Sequence, residues 1–282
     1  MAYKSVLTIG TSAESAKRVF AAAAKFAMAQ DGHLDGLALG VDRTQLGYSY
    51  VGAGAVLTQM TQERAEADAK AVEAAMTAAA AEAPESLRWS VESAVTMIGS
   101  IADLVAARAR FADLVVLQKP YGEQRFIEDE AVVEAALFEA QVPVMILPDT
   151  LAADKIQGRR VILAWNQSRE AMTAARLALP MLQAAERVTI TVVDPPAHGP
   201  ERSDPGGALC QMLVRHGVRA EVSVLARTMP RVSDVLQRQI TDLDADLLVM
   251  GAYGHSRLRE AVLGGATRHM LEQAKIPVLM AH

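Results

Sequence analysis

Four glycines, Gly251, Gly254, Gly264 and Gly265, bracket the basic stretch of "GAYGHSRLREAVLGG", which lies between an apolar run at 246–250 and a segment with helical spacing at 265–274. Glycine lets a backbone turn sharply or come close to a bound group. The first N–H groups of a helix have no intrahelical partners, and with the helix dipole they attract anions. His255, Arg257, Arg259 and Arg268 add positive charge nearby. These residue types can therefore hold a phosphate on backbone amides. A tight turn with close packing is the other use of such glycines. An isolated pair would favour that use, whereas four at the carboxyl end of a central strand favour a ligand.

Bond-making chemistry finds little support. The chain has no G-x-x-x-x-G-K-[ST] phosphate loop and no G-x-S-x-G turn, and its six histidines, at 33, 198, 216, 255, 269 and 282, show no spacing suited to zinc. His255 and Ser256 would both have to aim at one substrate from adjacent positions. The stretch "VGAGAVL" lacks the third glycine of a dinucleotide fingerprint. Cys210 is the single cysteine, so no intrachain disulfide forms, and its apolar helical surroundings predict a buried thiol in a reducing compartment. Asp103 and Asp234 occupy matching places early in two helices, where dipole matching accounts for them. Trp89 and Trp165 read as packing residues, with Trp165 also placed to flank a ring at a strand end.

The elements that must position the glycines emerge from an internal repeat. "FADLVVLQKPYG" at 111–122 matches "DADLLVMGAYG" at 244–254, and "AQVPVMILP" at 140–148 matches "AKIPVLMAH" at 274–282. "VLTIGTSAESAKRVFAAAAKFA" from Val6 corresponds to "ILAWNQSREAMTAARLALPML" from Ile162, with Ser12 opposite Ser168. The chain is a tandem duplication joined near 151–158, with domains expected over 1–150 and 158–282. In the second half, strands are predicted over 160–165, 187–193, 221–226, 246–250 and 276–280, and helices over 168–184, 206–216, 231–242 and 265–274. Strict alternation of strands and helices implies parallel sheets covered on both faces. Each half is therefore expected to be a doubly wound α/β domain of five strands. The first half adds an alanine-rich helix at 57–82, predicted to pack through Met60, Ala67, Val72 and Met76.

Composition bounds the partners. With 282 residues, 51% of them hydrophobic, and a formal net charge of −5, the chain is globular and has no overall basic surface for nucleic acid or an anionic membrane. The N-terminus lacks the apolar core of a signal peptide, and no segment approaches the ~20 apolar residues needed to span a bilayer. A cytoplasmic protein is expected.

The glycine spacing resembles that of the universal stress proteins: two residues between the first pair, nine before the third, then a helix and a terminal strand like "IPVLMAH". The resemblance covers the chain as two tandem copies. It implies an adenine-nucleotide alpha-hydrolase-like fold and a stress-response regulatory protein that binds ATP or another adenine nucleotide and hydrolyses it slowly at most. Whether Mg accompanies the phosphates is left open. Carried over, the phosphates would meet Gly251, Gly254, Gly264, Gly265 and Ala266. The nucleoside would meet Ala164, Trp165, Asn166 and Val192. Met250, His255, Arg257 and Thr267 complete the neighbourhood.

Two positions depart from the family pattern: Gly265 stands where a hydroxyl residue is usual, and Asn166 where an aspartate is usual. One lost hydrogen bond costs on the order of 1 kcal/mol, which Thr267 or a backbone amide can offset. The first half departs further. Gly10 replaces that aspartate, and Glu128, Asp129 and Glu130 sit where a helix start would receive phosphate. That half reads as a scaffold, with Lys119 and Arg125 the residues that would argue otherwise. The terminal strands "VPVMILP" and "IPVLMAH" are apolar edges that need covering. They are expected to pair, within the chain and in a homodimer, with protein partners left unspecified. The rival readings are a nucleotide-free interaction module and an adenylate-using enzyme.

Overall fold

Strands covered on both faces must be apolar at successive positions, and the helices between them must carry one apolar stripe. The computed structural model shows how this chain meets both demands; it describes residues 3–43, 54–122, 125–150, 156, 158–195, 198, 203–252 and 266–282. Two compact units divide it, residues 2–142 and residues 143–282.

The first unit runs β1 (Ser5–Gly10), α1 (Ala13–Ala29), β2 (His33–Asp42), α2 (Gly54–Ala81), β3 (Arg88–Met97), α3 (Ile101–Ala109), β4 (Leu114–Gln118) and α4 (Ile127–Glu134). Its strands pair in parallel in the order β3-β2-β1-β4. The second unit runs β5 (Val144–Leu147), β6 (Arg160–Ala164), α5 (Arg169–Leu177), α6 (Leu179–Ala184), β7 (Arg187–Val193), α7 (Gly207–Arg215), β8 (Ala220–Leu225), α8 (Val232–Asp242), β9 (Leu247–Gly251), α9 (Ala266–Gln273) and β10 (Val278–Ala281). Its order is β5-β10-β9-β6-β7-β8, parallel except that β5 runs antiparallel to β10 with Ile146 opposite Val278. The expected pairing of the two apolar terminal strands is therefore made within the chain. It also carries β5 into the second unit, ahead of the join read from the repeat.

Two expectations are corrected. The helix predicted over 168–184 is broken after Leu177, because Pro180 has no N–H to donate and its ring crowds the preceding turn. On α2, Val72 and Met76 are buried as expected, but Met60 is 60% exposed and Ala67 is exposed. The buried face is Ala65, Ala69, Val72, Met76 and Ala79, spaced by alternating fours and threes that hold one side of a 3.6-residue helix. The sheet dictates this face. A Cβ on Gly40 of β2 would lie 2.0 Å from the Ala65 carbonyl oxygen, so the helix backbone rests directly on the strand. Among the described residues no helix is long and apolar enough to cross a membrane.

Gly40→Ala would have to lift α2 off β2. The expected cost is about 2 to 3 kcal/mol, read as a lower melting temperature of the first unit in a thermal or urea titration.

Candidate functional site

In the second unit the chain leaves β6 towards β7 and β8 on one side, then returns to β9 on the other. Where strand order reverses, no crossover helix covers the gap between carboxyl ends, and ligands of such sheets bind there. The pairing of Leu163 with Val249 and of Ala164 with Thr191 sets Ala164 to Asn166 beside Met250 and Gly251. Because β9 ends and β10 begins at opposite edges, α9 starts at this same edge.

Each member of the crevice has a local reason for its conformation. Trp165 extends β6 by one bond, its N–H donating to the Thr191 carbonyl at 2.9 Å, and its side chain is buried, as is that of Val192. Asn166 is exposed, and its Oδ1 accepts from the Ser168 N–H at 3.2 Å. Ser168 in turn caps α5, its Oγ accepting from the Ala171 N–H at 3.1 Å, while Gln167 takes a left-handed φ of 64° to turn the chain. The Asn166 side chain thus shapes the β6–α5 turn. Gly251 meets that turn from β9: a Cβ on it would lie 2.5 Å from the Ala171 nitrogen.

Ala266 opens α9 and Thr267 is buried in its first turn. Arg268 is paired with Glu272 at 2.9 Å along the same helix. A cation not singled out in the sequence joins them: Arg231, at the start of α8, places Nη1 3.3 Å from Nδ1 of His269. Its only sequence signal is an arginine directly before a helix that starts at the same sheet edge. Gly254, His255, Arg257, Arg259, Gly264 and Gly265 lie outside the described residues. Among the described residues no group of three or more acidic, histidine or cysteine side chains is placed to hold a metal.

The corresponding crevice of the first unit, between β1 and β4, is bridged by the protein itself. Asp129 Oδ1 accepts from Thr11 Oγ1 at 2.6 Å and from Gln118 Nε2 at 2.8 Å, and its Oδ2 accepts from the Phe126 N–H at 2.9 Å. One side chain at the start of α4 therefore ties the ends of both strands together. Beside it Glu128, 1% exposed, pairs with Arg43, whose guanidinium lies 5.1 Å from the Phe126 ring centroid. Gly10 has a packing role, since a Cβ there would lie 2.8 Å from both Ala16 Cβ and Met76 Cε.

Cys210 on α7 is partly buried, with Sγ 3.6 Å from the Ala220 carbonyl oxygen. Burial pushes its thiol pKa up, and the nearby Asp204 charge adds to the effect.

A model of the universal stress protein family matches residues 158–282. The curated universal stress protein Slr1230 of Synechocystis is 37% identical over 73 residues, 26% of this chain and 24% of that protein, so the match spans about a quarter of the relative's length. A solved universal stress protein from Archaeoglobus fulgidus has the same fold over 98% of this chain and 96% of its own, with a TM-score of 0.70 at 16% identity. A Pseudomonas aeruginosa protein of unknown function is alike over 99% and 92%, with a TM-score of 0.52 at 17% identity.

Asp129→Ala removes the acceptor of three donors, among them the Phe126 N–H at the start of α4. It is expected to destabilise the first unit by about 3 kcal/mol in denaturant titration. With its thiol pKa raised, Cys210 holds less thiolate at neutral pH than an unfolded cysteine. Its alkylation by iodoacetamide should be slower in the native protein than in urea, by a margin that shrinks as pH rises.

Proposed function

We propose, from the match of residues 158–282 to the universal stress protein family, that the second unit binds ATP or another adenine nucleotide in the crevice between β6 and β9. The nucleoside lies against Ala164, Trp165, Asn166, Val192 and Met250. The phosphates take the backbone amides of Gly251, Gly254, Gly264 and Gly265 and the start of α9 at Ala266 and Thr267. His255, Arg257 and Arg231 balance their charge. One observation carries this reading: the carboxyl ends of β6 and β9 and the start of α9 converge where strand order reverses.

The first unit acts as a scaffold in this proposal, since Asp129 bridges the equivalent strand ends and brings negative charge where a phosphate would need amides. The nucleotide works as a regulator. Its binding sets the conformation of the 251–265 segment and so the surface offered to protein partners under stress.

A second reading, a nucleotide-free interaction module, is favoured by Gly251 itself. The close approach of α5 requires a glycine there with or without a ligand.

Mass spectrometry of small molecules released on denaturation, with calorimetric titration of ATP, ADP and AMP in the presence and absence of Mg, separates the two readings. The expected result is one adenine nucleotide per chain, lost in Gly254→Glu and bound roughly fivefold more weakly by Arg231→Ala. No released nucleotide and no heat at millimolar ligand would leave the interaction module standing.

A further inference from the structure

The outer strand of the first unit, β3, is ten residues long, pairs along its whole length with β2, and has no neighbour on its other side among the described residues. An edge of this kind exposes a row of backbone donors and acceptors, and proteins usually blunt it with charged side chains, proline, β-bulges, shortness or a covering element. "RWSVESAVTM" has no lysine or proline and pairs with β2 without a bulge, and its two charged residues are tied back to their own unit, Arg88 to Asp31 and Glu92 to Arg108. Its apolar side chains are also exposed, Trp89 by 38%, Val95 by 40% and Met97 by 52%. Trp89 packs edge-on against Phe20 of α1, so the odd-numbered residues of β3 share the face that α1 covers.

We propose that β3 is the interface with a second copy of this chain, two β3 strands pairing antiparallel about a twofold axis perpendicular to the sheet. Such an axis keeps the same face of both copies on one side, so opposed residue numbers sum to an even value. Two such registers keep nine of the ten residues paired, 88–96 and 89–97. The first sets Glu92 directly against Glu92 of the second copy on the axis, where like charges destabilise. The second sets Ser93 against Ser93, Val91 against Val95 and Trp89 against Met97, with Glu92 opposite Ala94. On the α1 face apolar residues then meet apolar residues on both sides of the central Ser93 pair, and no like charges are opposed. The sequence of β3 is self-complementary in this register, which is why a second copy fits as occupant.

The test is sedimentation equilibrium of the full chain, followed by copper-catalysed oxidation of single-cysteine variants in a Cys210→Ser background. A dimer is expected, with Ser93→Cys forming a disulfide dimer and Glu92→Cys not doing so. Val95→Lys and Met97→Lys, both at exposed positions, are each expected to weaken dimerisation on the order of tenfold while keeping the wild-type melting curve of the monomer. A monomeric wild-type chain overturns the proposal. So does a dimer that both lysine variants leave unchanged, or one cross-linked through position 92 instead of 93. The readout needs no nucleotide and is independent of the proposed function.

Discussion

Parallel strands cannot be joined by a short turn, so every connection must cross the sheet and return, and each crossover commits its helix to one face. In both units this constraint makes the chain build outward from a central strand, β6 or β1, and then come back to that strand's other side with β9 or β4. The pair of carboxyl ends left side by side is covered by neither run of crossovers. The position of the crevice therefore follows from connectivity before any side chain is considered. Side chains then decide how it is used.

The two units give opposite answers on one plan. In the first, the return helix starts with acidic residues, and Asp129 bonds to both flanking strand ends, joining Thr11 to Gln118. A carboxylate that accepts three hydrogen bonds in a buried setting cross-links the site and repels anions. In the second, the return helix starts with Ala266 and Thr267, and the turn after β6 is held by Asn166 and Ser168 through bonds within that turn. The difference between the two crevices is thus one of what stands at the helix start.

Glycine carries a large part of the packing in both units. Gly40 lets α2 lie directly on β2, and Gly251 lets β9 end against the first turn of α5. In a sequence such glycines look like those of a ligand loop, because both uses require the absence of a Cβ. Only the identity of the neighbour separates them, and for Gly251 that neighbour is the Ala171 nitrogen, 80 positions earlier in the chain.

Much of the architecture was legible in the residues. Alternation of apolar runs with helical spacing located β7 over 187–193, β9 within one residue and α8 within one residue, because strand and helix periods are local properties of the chain. The internal repeat disclosed the duplication for the same reason. What the residues could not decide were relations between distant segments. Which stripe of α2 is buried depends on the glycines of β2, so Ala65 and Ala69 face inward while Met60 does not. The part of Asn166 depends on the turn it shapes, and the nearness of Arg231 to His269 depends on how α8 packs against α9. Sequence alone determined the elements and their order, since these rest on interactions within a few residues. The use of each carboxyl edge, and the faces that meet there, were decided only when the sheet brought together residues far apart in the chain.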